Sequence, residues 1–166
     1  MTGDAPKFAM ADVAGKPATR RRALAAGRIR VGAEALSLIE AGALPKGDAL
    51  GLAEVAGVLA AKQTPQLIPL CHPIALSRVA VHTFLRPEDE SVEVMALAEI
   101  TERTGVEMEA LTAVSVALLT VWDLVKPVNP SLEIHSQRLL YKSGGKQGTW
   151  IHPDGLPEDA SRLLEA

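Results

Sequence analysis

The chain has 166 residues, a formal net charge of −3 and one cysteine, Cys71. Its length suits one domain, 1–166, around a single sizeable core. The charge excludes a global basic field of the kind that holds duplex nucleic acid. A lone cysteine excludes an intrachain disulfide, which fits a reducing cytoplasm. Aromatic residues are confined to Phe8, Phe84, Trp122, Tyr141 and Trp150, too few for a sheet that stacks single-stranded bases. The N-terminus has no apolar run of signal-peptide type. The uncharged apolar run Ala110 to Trp122 is too short to span a bilayer.

In chain order, residues 1–11 read as a flexible arm. In "ATRRRALAAGRIRV", Arg28 and Arg30 alternate with Ile29 and Val31, which predicts a strand. "GAEALSLIEAG" predicts a short helix closed by Gly42. After the turn "LPKGD", Asp48 is placed to cap a helix over "ALGLAEVAGVLAAKQ". That helix is expected to stop near Gln63, because Thr64 precedes Pro65. "TPQLIPLCHP" has three prolines in ten residues and predicts irregular chain or one helical turn. "SRVAVHTFL" and "SVEVMALAEIT" alternate around the polar turn "RPEDE" and predict a hairpin. A long helix follows within "RTGVEMEALTAVSVALLTVWDLVKP", Arg103 to Pro127. "SLEIHSQRLLYK" predicts a last strand, "SGGKQG" a glycine-rich loop, and 152–166 a peripheral tail.

The order β-α-α-β-β-α-β, less its first short helix, is that of an α+β ferredoxin-like split βαβ fold. Such a fold has an antiparallel sheet with helices packed on one face. It hosts many functions, so function must come from the sites.

The long helix carries ionisable groups only at its ends. Thr104 and Glu107 have capping-box spacing, which would start the helix at Gly105. Glu109 has no such local role. The uncharged middle predicts burial nearly all round, with a second subunit covering what the sheet leaves open. Glu109 and Asp123 lie within about 40° of one face but about 21 Å apart along the axis. One small ligand cannot draw both to one reacting centre, so either one end is irrelevant or each end serves a different copy of a shared site. Asp123 and Lys126 are i, i+3 and can touch. By spacing alone the first reading is a surface ion pair of little energetic weight.

His72 and Cys71 stand in a turn stiffened by Pro69 and Pro73. A rigid turn can hold an imidazole ready for proton transfer, while a lone thiol is more often simply buried. One cysteine and four scattered histidines make no zinc site, and no metal ligand is assigned. Lys46 lies just before a helix N-terminus, where it reads as a solvated lysine or as an anion-binding or proton-transfer group. Lys142 and Lys146 flank Ser143-Gly144-Gly145. The loop is not a Walker A motif, since Leu140 stands where its first glycine would be, but it could form a phosphate nest. With Arg20, Arg21 and Arg22 these clusters suggest a local polyanionic ligand such as a nucleoside triphosphate.

"KGD", "LIPLCHP", "RTGVEMEALTA", the Asp-x-x-Lys after the long helix and "KSGGKQG" occur here in the order and spacing of one family. From Ala11 to Gly148 the chain closely resembles the cyclic pyranopterin monophosphate synthases, the molybdenum cofactor biosynthesis protein C family. The resemblance implies a lyase that converts 3',8-cyclo-7,8-dihydro-GTP to cyclic pyranopterin monophosphate with release of pyrophosphate. It implies a ferredoxin-like fold and a cytoplasmic homohexamer, a trimer of dimers with its active site at the dimer interface. By motif the catalytic set is Lys46, His72, Glu107, Glu109, Asp123 and Lys126. The substrate-contact positions are Leu70, Cys71, His72, Met108 and Glu109, with Arg21, Lys142 and Lys146 near the triphosphate. No cofactor is required under this reading, and Mg²⁺ is left as an optional assistant. No nucleic acid or membrane partner is implied.

Overall fold

The computed structural model describes residues 6–166. Residues 1–5 of the expected arm lie outside the described residues, and residues 6–12 run exposed without helix or strand. The first regular element is β1, Thr19–Arg30. Its alternation sends Ala23, Ala25, Ile29 and Val31 into the main core and Leu24 and Ala26 to the opposite face, as period-2 geometry requires.

Helix α1 spans Ala33–Glu40 and buries Leu36 and Ile39. Helix α2 spans Ala49–Leu67. Its first turn is capped by Asp48, whose carboxylate accepts from the Gly51 N–H at 2.9 Å, meeting one of the free donors of a helix start. The helix does not stop at Gln63. It runs through Pro65 to Leu67, about one turn beyond the expected end. Proline forfeits one backbone bond, but Thr64 is fully buried and its hydroxyl donates to the Ala60 carbonyl at 3.2 Å. The Ile68 N–H then donates to the Thr64 carbonyl at 2.9 Å. Packing of that last turn outweighs the missing bond.

The hairpin is present as β2, Arg78–Arg86, and β3, Ser91–Glu102, joined by a 3₁₀ turn at Pro87–Asp89. Helix α3 spans Glu107–Val125, and β4 spans Glu133–Ser143. The sheet order is β2-β3-β1-β4-β5, where β5 is Trp150–Ile151. All pairings are antiparallel. Without β5 this is the ferredoxin-like arrangement expected above.

Helices α2 and α3 lie side by side over one face of the sheet. Their approach is close at Gly57, where an added Cβ would meet the Ala113 carbonyl oxygen at 3.1 Å and Val81 Cγ2 at 3.0 Å. A larger residue there would push the helices apart. On α3, Ala110, Ala113, Val114, Ala117, Leu118 and Val121 are fully buried. Truncating a core leucine such as Leu118 to alanine costs on the order of 2–5 kcal/mol. By length and apolar composition α3 could cross a membrane, but here it is the core helix of the sheet's main face. Burial is not complete all round, since Leu119 is exposed.

The C-terminal segment differs most from expectation. It is not peripheral. Residues Glu158–Glu165 form helix α4, which packs on the sheet face opposite α2 and α3. Ala160 there is fully buried, and Leu156, Leu163 and Leu164 join Leu24, Met95, Leu97 and Leu140 in a second core. Helices therefore cover both faces.

Candidate active site

Two groups of ionisable side chains form at the two ends of α3. At its C-terminal end, helical geometry brings Lys126 Nζ to 2.7 Å from the Asp123 carboxylate. Lys46 arrives from the turn between α1 and α2. Its ammonium donates to the other Asp123 carboxylate oxygen and to the Asp123 backbone carbonyl at 3.2 Å. Gly47, at φ 100°, permits the turn that delivers it. The hydrogen bonds from Lys126 and Lys46, with their positive charges, hold the Asp123 carboxyl down at about 2. All three side chains keep one face open to solvent. The result is a carboxylate fixed between two ammonium groups, able to orient both toward a bound anion.

At the N-terminal end the expected capping box does not form. The helix begins at Glu107 with Val106 before it, and no side chain caps it. Glu107 is thus in the first helical position rather than the third, and its carboxylate accepts from Lys142 Nζ at 3.3 Å. That contact depends on β-sheet register. A shift between Leu24 and Ala25 in the β1–β4 pairing sets Lys142 opposite Ala23, on the face covered by α3.

Glu109, one residue beyond Met108, is buried. Burial pushes its carboxyl above the ordinary range. Its backbone hydrogen bond and the nearby His72 work against the rise, and the charge of Glu107 adds to it. The proline-clamped turn after α2 brings Cys71 and His72 to this carboxylate. Burial raises the Cys71 thiol, and Glu109 raises it further. His72 Nε2 donates to the Ala11 carbonyl at 2.8 Å, which fixes the ring through the N-terminal segment. Leu70 and Met108 are both exposed at this end of the molecule.

Beside Glu107 opens a cavity of about 580 Å³ lined by Lys16, Arg21, Arg22, Glu107, Lys142 and Lys146. The size falls in the range of small-molecule sites. The backbone of Ser143, Gly144 and Gly145 lines it as well. Gly144 has φ 98°, and an added Cβ would collide with the Arg20 carbonyl oxygen, so only glycine lets the loop lie this close to β1. Lys16 is the residue sequence reading missed. Its only signal was a lysine before Pro17 and a basic strand.

The three consecutive arginines separate. Arg21 lines the cavity and its guanidinium donates to the Arg103 carbonyl at 3.5 Å. Arg20 turns to the other face and pairs with Glu99 at 2.7 Å, with Arg22 3.3 Å and Arg78 3.4 Å from the same carboxylate. Burial pushes Glu99 up, but these arginines outweigh it and hold its carboxyl below the ordinary range.

Within one chain, then, Glu107, Glu109, Cys71, His72, Arg21, Lys142 and Lys146 gather at one end of α3, while Lys46, Asp123 and Lys126 gather at the other. The two groups do not meet. Among the described residues no group of three His, Cys, Asp or Glu side chains is placed to hold a metal ion.

Comparison with known proteins is consistent across most of this length. A protein of Nocardioides sp. named cyclic pyranopterin monophosphate synthase is 52% identical over 145 residues, covering 87% of this chain and 89% of the relative. Cyclic pyranopterin monophosphate synthase 2 of Mycobacterium tuberculosis is 52% identical over 141 residues, 85% of this chain and 83% of the relative. The synthase of Thermomicrobium roseum is 49% identical over 145 residues, 87% of each. The MoaC family model matches residues 10–145, which include every residue of both groups but Lys146, and the chain belongs to the MoaC family.

Proposed function

We propose that this chain is a lyase of molybdenum cofactor biosynthesis. It converts 3',8-cyclo-7,8-dihydro-GTP to cyclic pyranopterin monophosphate and releases pyrophosphate. The observation that carries the reading is the pairing of a basic, glycine-lined cavity with a Lys-Asp-Lys cluster in a chain about half identical to named synthases. The cavity's lysines and arginine suit a triphosphate. Closing the cyclic phosphate breaks the bond between the α- and β-phosphates, and cations beside the departing pyrophosphate stabilise its charge. Lys126 and Lys46 serve as proton-transfer and electrophilic groups, with Asp123 orienting them. Glu107, Glu109 and His72 shuttle protons during ring opening and rebuilding. Leu70, Cys71 and Met108 contact the base portion.

The site is completed between chains. Each end of α3 contributes to a different active site, which requires at least a dimer. The assembly implied by the family resemblance is a hexamer, a trimer of dimers. Leu52, Val55 and Leu59, exposed at helical spacing along α2, suit burial in such an assembly. The free thiol of Cys71 suits a cytoplasmic setting. Nucleic acid and membrane have no part in this reading. No resident cofactor enters it, and assays with Mg²⁺ against a chelator test whether the triphosphate needs that ion.

The deciding experiment is incubation of the purified protein with the cyclised GTP. Cyclic pyranopterin monophosphate and pyrophosphate are expected in equal amounts. Stoichiometric binding with no product would instead support a nucleotide-sensing module on the same fold.

A further inference from the structure

The segment after the glycine loop lies past residue 145, where the family match ends, yet it is built into the fold at three points. The first is a strand pairing. Trp150 and Ile151 pair with Lys142 and Tyr141, and the His152 N–H donates to the Leu140 carbonyl at 2.9 Å. This closes residues 143–149 into a hairpin loop, the loop that lines the basic cavity. The second is apolar. Leu156, Ala160, Leu163 and Leu164 cover Met95, Leu97 and Leu140. The third is polar. Arg22 donates to the Leu164 carbonyl at 2.7 Å, and Arg86 pairs with Asp159 at 2.7 Å. Arg22 borders the cavity from its place on β1, but its guanidinium is turned to α4 and Glu99 on the other side of the sheet.

We propose that β5 and α4 form a positioning element that holds the glycine loop in anion-binding geometry from the far side of the sheet. The inference rests on reading the cavity as a polyanion site. Its physical basis is the cost of ordering a loop on binding. Residues 143–149 include three glycines, at 144, 145 and 148, each with positive φ, and a chain of that composition is flexible unless both ends are fixed. Strand β4 fixes one end. Strand β5, anchored by α4, fixes the other. A loop ordered beforehand spends less of its binding energy on its own immobilisation. The element's effect therefore falls on binding and not on the chemical step. The α4 residues touch no substrate and act only through the loop.

The test compares three full-length proteins and one truncation. The variants are Leu163→Ala with Leu164→Ala, Leu163→Ile with Leu164→Ile, and a chain ending at Gly155. The probe is inorganic tripolyphosphate, followed by calorimetry at fixed ionic strength. Amide exchange of residues 143–149, KM and kcat are measured alongside. The alanine pair and the truncation are expected to weaken tripolyphosphate binding and raise KM by about tenfold, with kcat little changed and faster exchange in the loop. The isoleucine pair is expected to restore wild-type values. Should the truncation fail to fold, the alanine pair keeps the chain intact and still answers. Folded alanine variants with wild-type affinity and wild-type loop exchange overturn the proposal. A wild-type protein that makes product but does not bind tripolyphosphate overturns it differently, by showing that the cavity is not the anion site.

Discussion

Glu109 and Asp123 belong to one helix, yet they stand about 21 Å apart along its axis and are served by different neighbours. Glu109 is buried among His72 and Cys71, and Asp123 is held by Lys46 and Lys126. If each serves a different active site, two inactive variants should complement each other. Glu109→Gln and Asp123→Asn, mixed with subunit exchange, give a mixed dimer with one intact site and one doubly damaged site. Random mixing makes about half the dimers mixed, so activity should recover to about a quarter of wild type. A copurified mixture as inactive as its parents would show that the two groups do not share an intersubunit site.

Lys126→Ala should lower turnover by roughly 10²–10⁴-fold, the range for loss of a positioned proton-transfer group. Stability should change by no more than about 1 kcal/mol, because the lysine is largely exposed and its ion pair is screened by water. Product formation and thermal melting measured together check this. A folded variant with near-normal turnover would remove Lys126 from the catalytic set.

Asp123 gives a pH signature. Its folded-state carboxyl is held at about 2, below its ordinary value, by Lys126 and Lys46. A lowered pKa contributes stability that is present above the unfolded value and lost as pH falls through the folded one. The melting-temperature advantage of wild type over Asp123→Asn should therefore be full at pH 6. It should shrink below pH 4 and be lost near pH 2. High salt should reduce it throughout. A difference that stays constant from pH 6 to pH 2 would mean that the lysines do not hold this carboxylate.

Glu109 and Cys71 offer a chemical readout. Burial raises the Cys71 thiol, and the Glu109 charge raises it further. Since the thiolate is the reactive form, Glu109→Gln should make Cys71 react faster with iodoacetamide at pH 8. Alkylation followed by mass spectrometry measures this. An unchanged or slower rate would show that Glu109 does not carry its charge beside the thiol.

Local pattern determined much of this protein. Alternation in "RALAAGRIR" and "SVEVMALAEI" marks the central strands, because a strand exposes opposite faces at successive residues. Asp48 as a helix cap and the contact between Asp123 and Lys126 are also local, each spanning three positions. The motifs named the family and the residues worth watching.

Tertiary structure decided what lies beyond one helical turn. Lys46 reaches Asp123 across 77 residues, which no spacing rule predicts. Alternation alone separates Arg21 from Arg20 and Arg22, but only the packing of α3 makes the Arg21 face the cavity face. Thr104 and Glu107 have the spacing of a capping box, but sheet register supplies Lys142 as the partner of Glu107 and the helix begins later. Pro65 ended the predicted helix on local grounds, yet burial of Thr64 carried it on. In the tail, Ala160, Leu163 and Leu164 have helical spacing, but eight residues make too short a helix to stand alone,. Helix α4 exists because the second face of the sheet, with Met95 and Leu97, needed covering.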